Sequence, residues 1–286
     1  MDRTLIFEQM NRNIISSRRI TASQTAHTYH MHNSYEVHVL LSGNINYYME
    51  QTCYRPDRGS IFVINDREAH GYSCLDDAPY ERITTHFNPV LVQYACTQET
   101  DLLACFENRP PGRNNAAHMS EEQLGRYIGL TDCLHEVLNR PGYGSDVMAF
   151  SYILQILVMI NNIFCDSSRM LPNLMPSLVL NTIHYINTHL TENLSLPILA
   201  GQLSVNSSYL SRKFKKETGS TIQNFILLKR VSLAKSHLAE GRNVQEACDL
   251  SGFCDYANFI RTFTRLTGIS PGRYRQAAQS GRRVEK

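Results

Sequence analysis

The chain has 286 residues, 42% of them hydrophobic, which is enough for two domains with a core each. Net charge is only +2, yet from Leu178 onward 15 Lys and Arg stand against 7 Asp and Glu, while the preceding part carries 13 against 19 and all of its basic residues are Arg. Such a balance points to contact with a polyanion through the C-terminal part alone, against the plainer reading of an unevenly charged solvated surface.

No run reads as apolar enough to span a membrane; the nearest, Ala149 to Phe164, is interrupted by Gln155, Asn161 and Asn162. The N-terminus shows no basic stretch followed by an apolar block, so no secretion signal is expected and a cytoplasmic location is. The cysteines are scattered with no C-x-x-C pair and no zinc-finger spacing, and read as reduced, packed residues.

Residues 1–24 are polar and weakly patterned. From Tyr29 to His86 the sequence reads as β: Glu36–Leu41, Asn44–Met49 and Ser60–Ile64, with a last strand around Arg82–Phe87. These β-branched and aromatic runs are separated by Ser42-Gly43, Pro56-Asp57-Arg58-Gly59 and Asp76-Asp77-Ala78-Pro79, the pattern of a small antiparallel barrel or jelly roll. From Glu121 the period becomes helical. Leu124, Ile128, Leu134 and Leu138 share a helix that ends near Asn139. Asp146 to Cys165 forms a second helix, apolar on most sides, which must be buried in its own domain or against a second copy of the chain. Residues 1–165 are therefore read as one domain, 166–177 as a linker containing two prolines, and 178–286 as a second, all-α domain.

In that domain Leu178 to His189 is amphipathic, and Ser195 caps a helix with Pro197 in its first turn. Ser204-Val205 makes a turn, and Asn206 caps the helix Ser207 to Thr218. A long helix, Ile222 to Ala239, closes at Gly241. Then come Val244 to Leu250, a turn at Gly252-Phe253, Asp255 as cap for Tyr256 to Leu266, and a short helix from Pro271 through Tyr274. One pattern occurs twice: Leu210…Arg212…Phe214…Gly219 returns as Phe259…Arg261…Phe263…Gly268 at a constant offset.

Apolar residues four apart, Leu210 with Phe214 and Phe259 with Phe263, fix the buried face of each copy. Ser208, Ser211, Arg212 and Lys215 then face outward in the first copy, as do Ala257, Ile260, Arg261 and Thr264 in the second. Arg reaches guanine O6 and N7 in a bidentate pair, Ser bonds several bases, and Ala or Ile touches a thymine methyl. Lys213, Lys216 and Arg265 lie toward the edges and suit phosphate. Two such units in tandem point to neighbouring stretches of double-stranded DNA major groove, against the alternative of a basic helical surface for RNA or protein.

The stretch from Leu178 to Gln276 resembles the AraC/XylS transcription regulators. The resemblance rests on Ser195–Ala200, Tyr209–Gly219, Ser251-Gly252-Phe253, Phe259…Arg261…Phe263 and Gly268–Arg275. It implies base readers at Ser208, Ser211 and Arg212, then at Ala257, Ile260 and Arg261. Departures are Ser204 where the turn usually holds Gly, Gly201 within a helix, and Cys248 in place of a small Ala. Thr262 and Thr264 make the second copy less basic than the first, so the first is expected to supply more phosphate contacts.

In the N-terminal part, His30-x-His32 is followed by Glu36, then Gly43, and later by Gly59…His70. Strand alternation sends His30, His32 and Glu36 to one face. The spacing resembles the cupin double motif, whose three His and one Glu bind a divalent metal in cupin enzymes; Asn65 and Arg67 stand where that motif has Pro and Gly. Three readings follow for His30, His32, Glu36 and His70. They hold a metal, since imidazole with carboxylate suits Zn, Mn, Fe or Ni; they bond a polar effector with no cofactor required; or they satisfy buried strand edges. Tyr35, Tyr47, Tyr48 and Arg82 are expected to line the same pocket.

The expected protein thus has an N-terminal all-β cupin or jelly-roll barrel followed by helices, and a C-terminal tandem helix-turn-helix domain. By resemblance it is a promoter-binding transcriptional regulator, an activator that works with RNA polymerase, acts as a homodimer and answers a small effector, with carbohydrate as the default class and no membrane partner. The alternatives are a metal-dependent cupin enzyme fused to a DNA-binding tail, and an architectural DNA-bending protein.

Overall fold

The computed structural model describes residues 14–21, 26–110, 112–166 and 173–282. Most of the proposed linker, residues 167–172, and the first part of the polar N-terminal stretch lie outside them. Among the described residues nine strands build two antiparallel sheets that face each other. Strands β1 (Ile14–Thr21), β3 (Tyr35–Ser42), β6 (Ser60–Ile64), β8 (Tyr80–Phe87) and β9 (Ala116–His118) form one, in the order β1-β8-β3-β6-β9. Strands β2 (Ala26–His30), β4 (Ile45–Met49), β5 (Thr52–Tyr54) and β7 (His70–Cys74) form the other, in the order β2-β7-β4-β5.

Strand β1 falls in the stretch read as unpatterned. It is held by polar cross-strand pairs rather than by apolar alternation: Ser16 Oγ lies 3.2 Å from Thr85 Oγ1, Ser17 Oγ 3.0 Å from Thr84 Oγ1, and Arg18 Nε donates to Glu81 at 2.7 Å.

Two short helices, α1 (Pro89–Gln93) and α2 (Ala104–Glu107), lead to α3 (Glu121–Asn139) and α4 (Ser145–Asp166). Helix α3 starts in a capping box between Ser120 and Gln123. The buried face of α4, Ile153, Ile156, Leu157, Ile160 and Ile163, shares one core with Val37, Val39, Ile61, Val63 and Ile83 of the first sheet. The sequence reading that no run could span a membrane needs correction: Ser145–Cys165 is long and apolar enough by length and composition, with a mean hydropathy of 1.8. Its polar residues interrupt it less than expected because Asn161 is absorbed by the fold, with Nδ2 donating to Leu102 O at 2.9 Å and Oδ1 accepting from Cys105 N at 3.0 Å. The core under the sheet accounts for the apolar inner face.

The second domain comprises α5 (Ser177–Thr188), α6 (Leu196–Gln202), α7 (Ser207–Thr218), α8 (Ile222–Ala239), α9 (Val244–Leu250), α10 (Tyr256–Thr267) and α11 (Pro271–Arg282). Helix α11 runs on past Tyr274, where the sequence reading ended it. Ser195 precedes α6 as expected, but its side chain makes no capping bond. The turn before α7 places Ser204 at φ +54°, and the corresponding turn before α10 places Gly252 at φ +79°. At Gly252 the constraint is also steric: a Cβ would lie 2.7 Å from Thr191 Cα and 2.8 Å from Leu190 O.

Two cores serve this half. Leu199, Leu210, Phe214, Phe225 and Ile226 share one cluster with the barrel residues Tyr29, Tyr48, Cys53 and Ala69. Val231, Ala234, Leu238, Ala247, Phe253, Phe259 and Phe263 form another, joined by Tyr274. Helix α8 spans both and lies against the barrel. Lys229 Nζ reaches Glu50 Oε2 at 2.7 Å, Ser232 Oγ donates to Arg67 O at 3.1 Å, and Lys235 Nζ donates to Asp66 O at 2.6 Å with Asp66 Oδ2 at 3.0 Å.

Candidate effector cavity and nucleic-acid interface

Strand alternation on β3 sends Glu36 and His38 between the sheets, where β7 brings His70 and β8 brings His86. One buried carboxylate oxygen is the focus. Glu36 Oε2 lies 2.7 Å from His32 Nε2, 3.2 Å from His70 Nε2 and 3.8 Å from His86 Nε2, while Oε1 lies 3.3 Å from His38 Nδ1. The His30 ring stands 4.3 Å from that of His70, centre to centre. Burial alone would raise the Glu36 carboxyl. The adjacent His86 and the hydrogen bonds of His32, His38 and His70 override burial and hold it well below the usual carboxylate range. Burial lowers His86 to about 4 and also lowers His38. At His70 burial acts in the same direction, but Glu36 outweighs it and the ring is raised.

His30, Glu36, His38, His70 and His86 line a cavity of about 170 Å³ together with Arg19, Tyr47, Tyr72, Arg82 and Thr84, and His32 reaches it through Glu36. Arg82 is nearly buried, donates to Thr21 Oγ1 at 2.6 Å and stacks over Tyr80 at 4.5 Å. Larger hollows of about 570 and 670 Å³ lie outside the barrel, along α4. One is lined largely by apolar residues and the other has the exposed Glu122, Arg126, Gln155 and Asn162 among its walls; neither gathers buried titratable groups as the small cavity does, so the small cavity is the better chemical site.

The structure brings His30, His32, Glu36, His70, Tyr47 and Arg82 to this region and excludes Tyr35 and Tyr48. Tyr35 has the opposite parity to Glu36. Its ring packs on Phe87 and Phe106, and its hydroxyl donates to Glu107 Oε1 at 2.7 Å. Tyr48 turns to the outer side of its sheet, against Tyr29, with its hydroxyl 3.0 Å from Ser73 Oγ. His86 was missed in the sequence although it shares the parity of Arg82, which was placed in the pocket; four steps along the same strand would have found it.

For a metal, His30, His32 and His70 hold ligand atoms within 4.8 Å of one another, and so do His32, Glu36 and His86. The donor chemistry fits a first-row divalent ion.

On the other half, Asn206 Oδ1 accepts from Ser208 N at 2.9 Å and Tyr209 N at 3.3 Å at the start of α7. Asp255 Oδ1 accepts from Asn258 N at the start of α10, at 2.6 Å. Each helix ends at a left-handed glycine, Gly219 at φ +68° and Gly268 at φ +77°. Ser208, Arg212, Lys215 and Lys216 are exposed on α7, with Ser211 half-buried. Ala257, Arg261 and Arg265 are exposed on α10. Two candidates sit differently from the sequence reading. Lys213 is paired with Glu217 at 2.7 Å on its own helix, and Ile260 is half-buried against the second core. The connector α8 has 18 residues and is about 27 Å long, a little less than the roughly 34 Å of one DNA turn.

A sheet-built polar cavity joined to two helix-turn-helix units defines a ligand-binding, DNA-binding regulator. The chain belongs to the AraC family of transcriptional regulators: residues 15–149 match the AraC-like ligand binding domain and residues 199–277 match the helix-turn-helix domain. It is 24% identical over 255 residues to the transcriptional activator RhaR of Escherichia coli K12, covering 86% of each chain. It is 39% identical over 101 residues to the uncharacterized transcriptional regulator YtdP of Bacillus subtilis, a match that takes in 35% of this chain and spans only 13% of that relative. ToxT of Vibrio cholerae, at 12% identity and a TM-score of 0.40, covers 93% of this chain and 100% of its own.

Proposed function

We propose that this chain is a cytoplasmic, homodimeric transcription activator whose barrel takes a small polar effector and whose α7 and α10 read two adjacent major-groove blocks of a promoter. The observation that carries the reading is the pair of capped, basic, outward-facing helices held on one stiff connector. Arg212 and Arg261 are the principal base readers, aided by Ser208, Ser211 and Ala257. Lys215, Lys216 and Arg265 are exposed and serve phosphate, while Lys213 contributes less because Glu217 holds it. The reduced weight of Ile260 follows from its partial burial.

The effector is a hydroxyl-rich molecule of carbohydrate type. Imidazole, carboxylate and guanidinium groups offer it both donors and acceptors, and Tyr47 and Tyr72 border the same space. It acts by binding two domain arrangements unequally. The outer face of α4, with Val147, Met148 and Val158 exposed and a groove on either side, is the dimer surface. A surface contact with RNA polymerase completes the activator role. Both matched domains and the named relatives are those of regulators, so no catalytic role is proposed.

The test is selection of binding sites from a random DNA pool by the full-length chain at near-physiological salt. Two sequence blocks about one turn, roughly 34 Å, apart are expected. Recovery of no preferred sequence, with and without candidate sugars, would overturn the reading. Sedimentation of Val158→Glu beside the unsubstituted chain tests the dimer: a monomer is expected for the variant alone.

A further inference from the structure

Resting on the regulator reading, we propose that His32, His70, His86 and Glu36, with His30 beside them, bind one divalent first-row transition-metal ion, and that this ion controls the second DNA-reading unit through the segment Met31–Asn33.

The first argument is donor geometry. His32 Nδ1 lies 2.7 Å from Ser34 O and His70 Nδ1 lies 3.1 Å from Glu68 O. Each Nδ1 therefore carries a proton and donates it to a backbone carbonyl, the arrangement that orients a metal-binding imidazole. The Nε2 atoms of both rings point at Glu36 Oε2, at 2.7 and 3.2 Å, where a ring protonated at both nitrogens donates to the carboxylate and a bound cation would replace that proton. His86 adds a third Nε2 from β8, 3.8 Å from the same oxygen, with its Nδ1 3.3 Å from Ser34 Oγ. Three Nε2 atoms so converge on one buried carboxylate, whose charge calls for a positive centre among them, a protonated ring or a cation. A single divalent ion supplies it and uses the imidazole and carboxylate set for which such ions are selective. The side chains of Glu36 and His70 are only 5% and 2% exposed, so the site is built into the barrel rather than collected on its surface.

The second argument is the route out. His32 lies between β2 and β3, in the short stretch that faces the second domain. Met31, His32 and Asn33 line a small closed hollow with Leu228, Val231 and Lys235 of α8 and with Leu266 and Thr267 of α10. Asn33 Nδ2 donates to Thr267 O at 2.8 Å, the carbonyl of the last residue of α10. Drawing His32 onto an ion moves the residue beside the one that holds the end of the second reading helix. The carbohydrate-type effector would occupy the Arg19, Tyr72 and Arg82 end of the cavity.

The experiment uses the full-length chain, freed of metal with a chelator and titrated with Co²⁺ and with Zn²⁺. Stoichiometry is read by equilibrium dialysis, coordination by the visible Co²⁺ absorption, and binding to the selected DNA site by fluorescence anisotropy. One ion per chain is expected, with affinity falling at least about tenfold in His86→Ala and in His70→Ala. His30→Ala is the partner variant should either fail a melting check, and is expected to weaken binding as well. DNA affinity should change on metal loading in the unsubstituted chain. Asn33→Ala should bind the ion equally well and lose that change. Equal metal binding by all three histidine variants would overturn the site. Metal binding that leaves DNA affinity unaltered would overturn the coupling. Failure to bind any selected DNA with or without metal, while the ion still binds at the histidines, would instead count against the regulator reading and against the coupling together, leaving the metal site standing.

Discussion

Replacing Lys235 by methionine removes one polar tie between the helical domain and the barrel. The Lys235 side chain is 2% exposed; its Nζ donates to Asp66 O at 2.6 Å and lies 3.0 Å from Asp66 Oδ2. Methionine keeps most of the aliphatic stem, so the packing cost is small. Hydrogen bonds to a charged group contribute about 1.5–3 kcal/mol each. Burial offsets part of that here, since it holds the lysine below its ordinary pKa against the opposing pull of Asp66. Asp66 is 21% exposed and keeps Arg67 Nε at 4.0 Å, so the carboxylate is rehydrated rather than stranded, and the cost stays below the roughly 3–5 kcal/mol of a broken, wholly buried pair. The expected loss is about 2 kcal/mol, or about thirtyfold in the docking equilibrium. The chain has no Trp, so urea unfolding is followed by far-ultraviolet dichroism and tyrosine fluorescence. The urea midpoint of the variant should fall below that of the parent. A cycle with Asp66→Asn should show coupling of about 1–2 kcal/mol; additivity within about 0.5 kcal/mol would refute the argument.

The other expectations concern DNA, acid and backbone. Arg212→Ala should cost roughly 1–3 kcal/mol at the selected site and relax sequence choice in one block only, whereas Lys216→Ala should weaken binding to every sequence and reduce the salt slope by about 1, both measured by anisotropy titrations across salt. Glu68 is buried, which would raise its carboxyl, but the bidentate Arg109 at 2.6 Å, Gly112 N and Asn115 override burial and lower it. With the folded pKa below the unfolded value of 4.5, its contribution is present above about that pH and is lost as pH falls further. Glu68→Gln should therefore be less stable at neutral pH and flatter in acid, and a parallel pH dependence in thermal melts would contradict this. Gly252→Ala combines a left-handed backbone with contacts of 2.7 and 2.8 Å to main-chain atoms, and should lose more than about 1 kcal/mol in melting and weaken the second DNA block first.

Much of the DNA-reading half could be read from its residues because its signals are local. Asn206, Asp255, Gly219 and Gly268 mark helix ends, and aromatic residues four apart mark buried faces, so the chain's own neighbours decide the structure. The barrel depends on distant pairing. Strand β1 joins β8 through hydroxyls and an ion pair, which leaves no apolar rhythm to detect. His86 enters the cavity only because β8 lies beside β3, some fifty residues away in sequence. Tyr35 was misplaced by composition, where alternation already turned it away from Glu36. The contacts of Lys229, Ser232 and Lys235 with barrel loops left no trace in the sequence, since their partners include backbone carbonyls that any residue could offer.

The unequal sharing of the two helical cores has a mechanical consequence. Phe214 and Phe225 of the first unit are welded to Tyr29 and Tyr48 of the barrel, so that unit cannot leave without exposing aromatic surface. Phe259 and Phe263 of the second close their core within the domain, and that unit meets the barrel through polar contacts such as Asn33 to Thr267, with Leu266 packed at the edge of the first core. The molecule is thus a foot and an arm. Any adjustment to the spacing or bend of a promoter falls to α10, and severing the chain before α5 would leave the foot with a greasy sole.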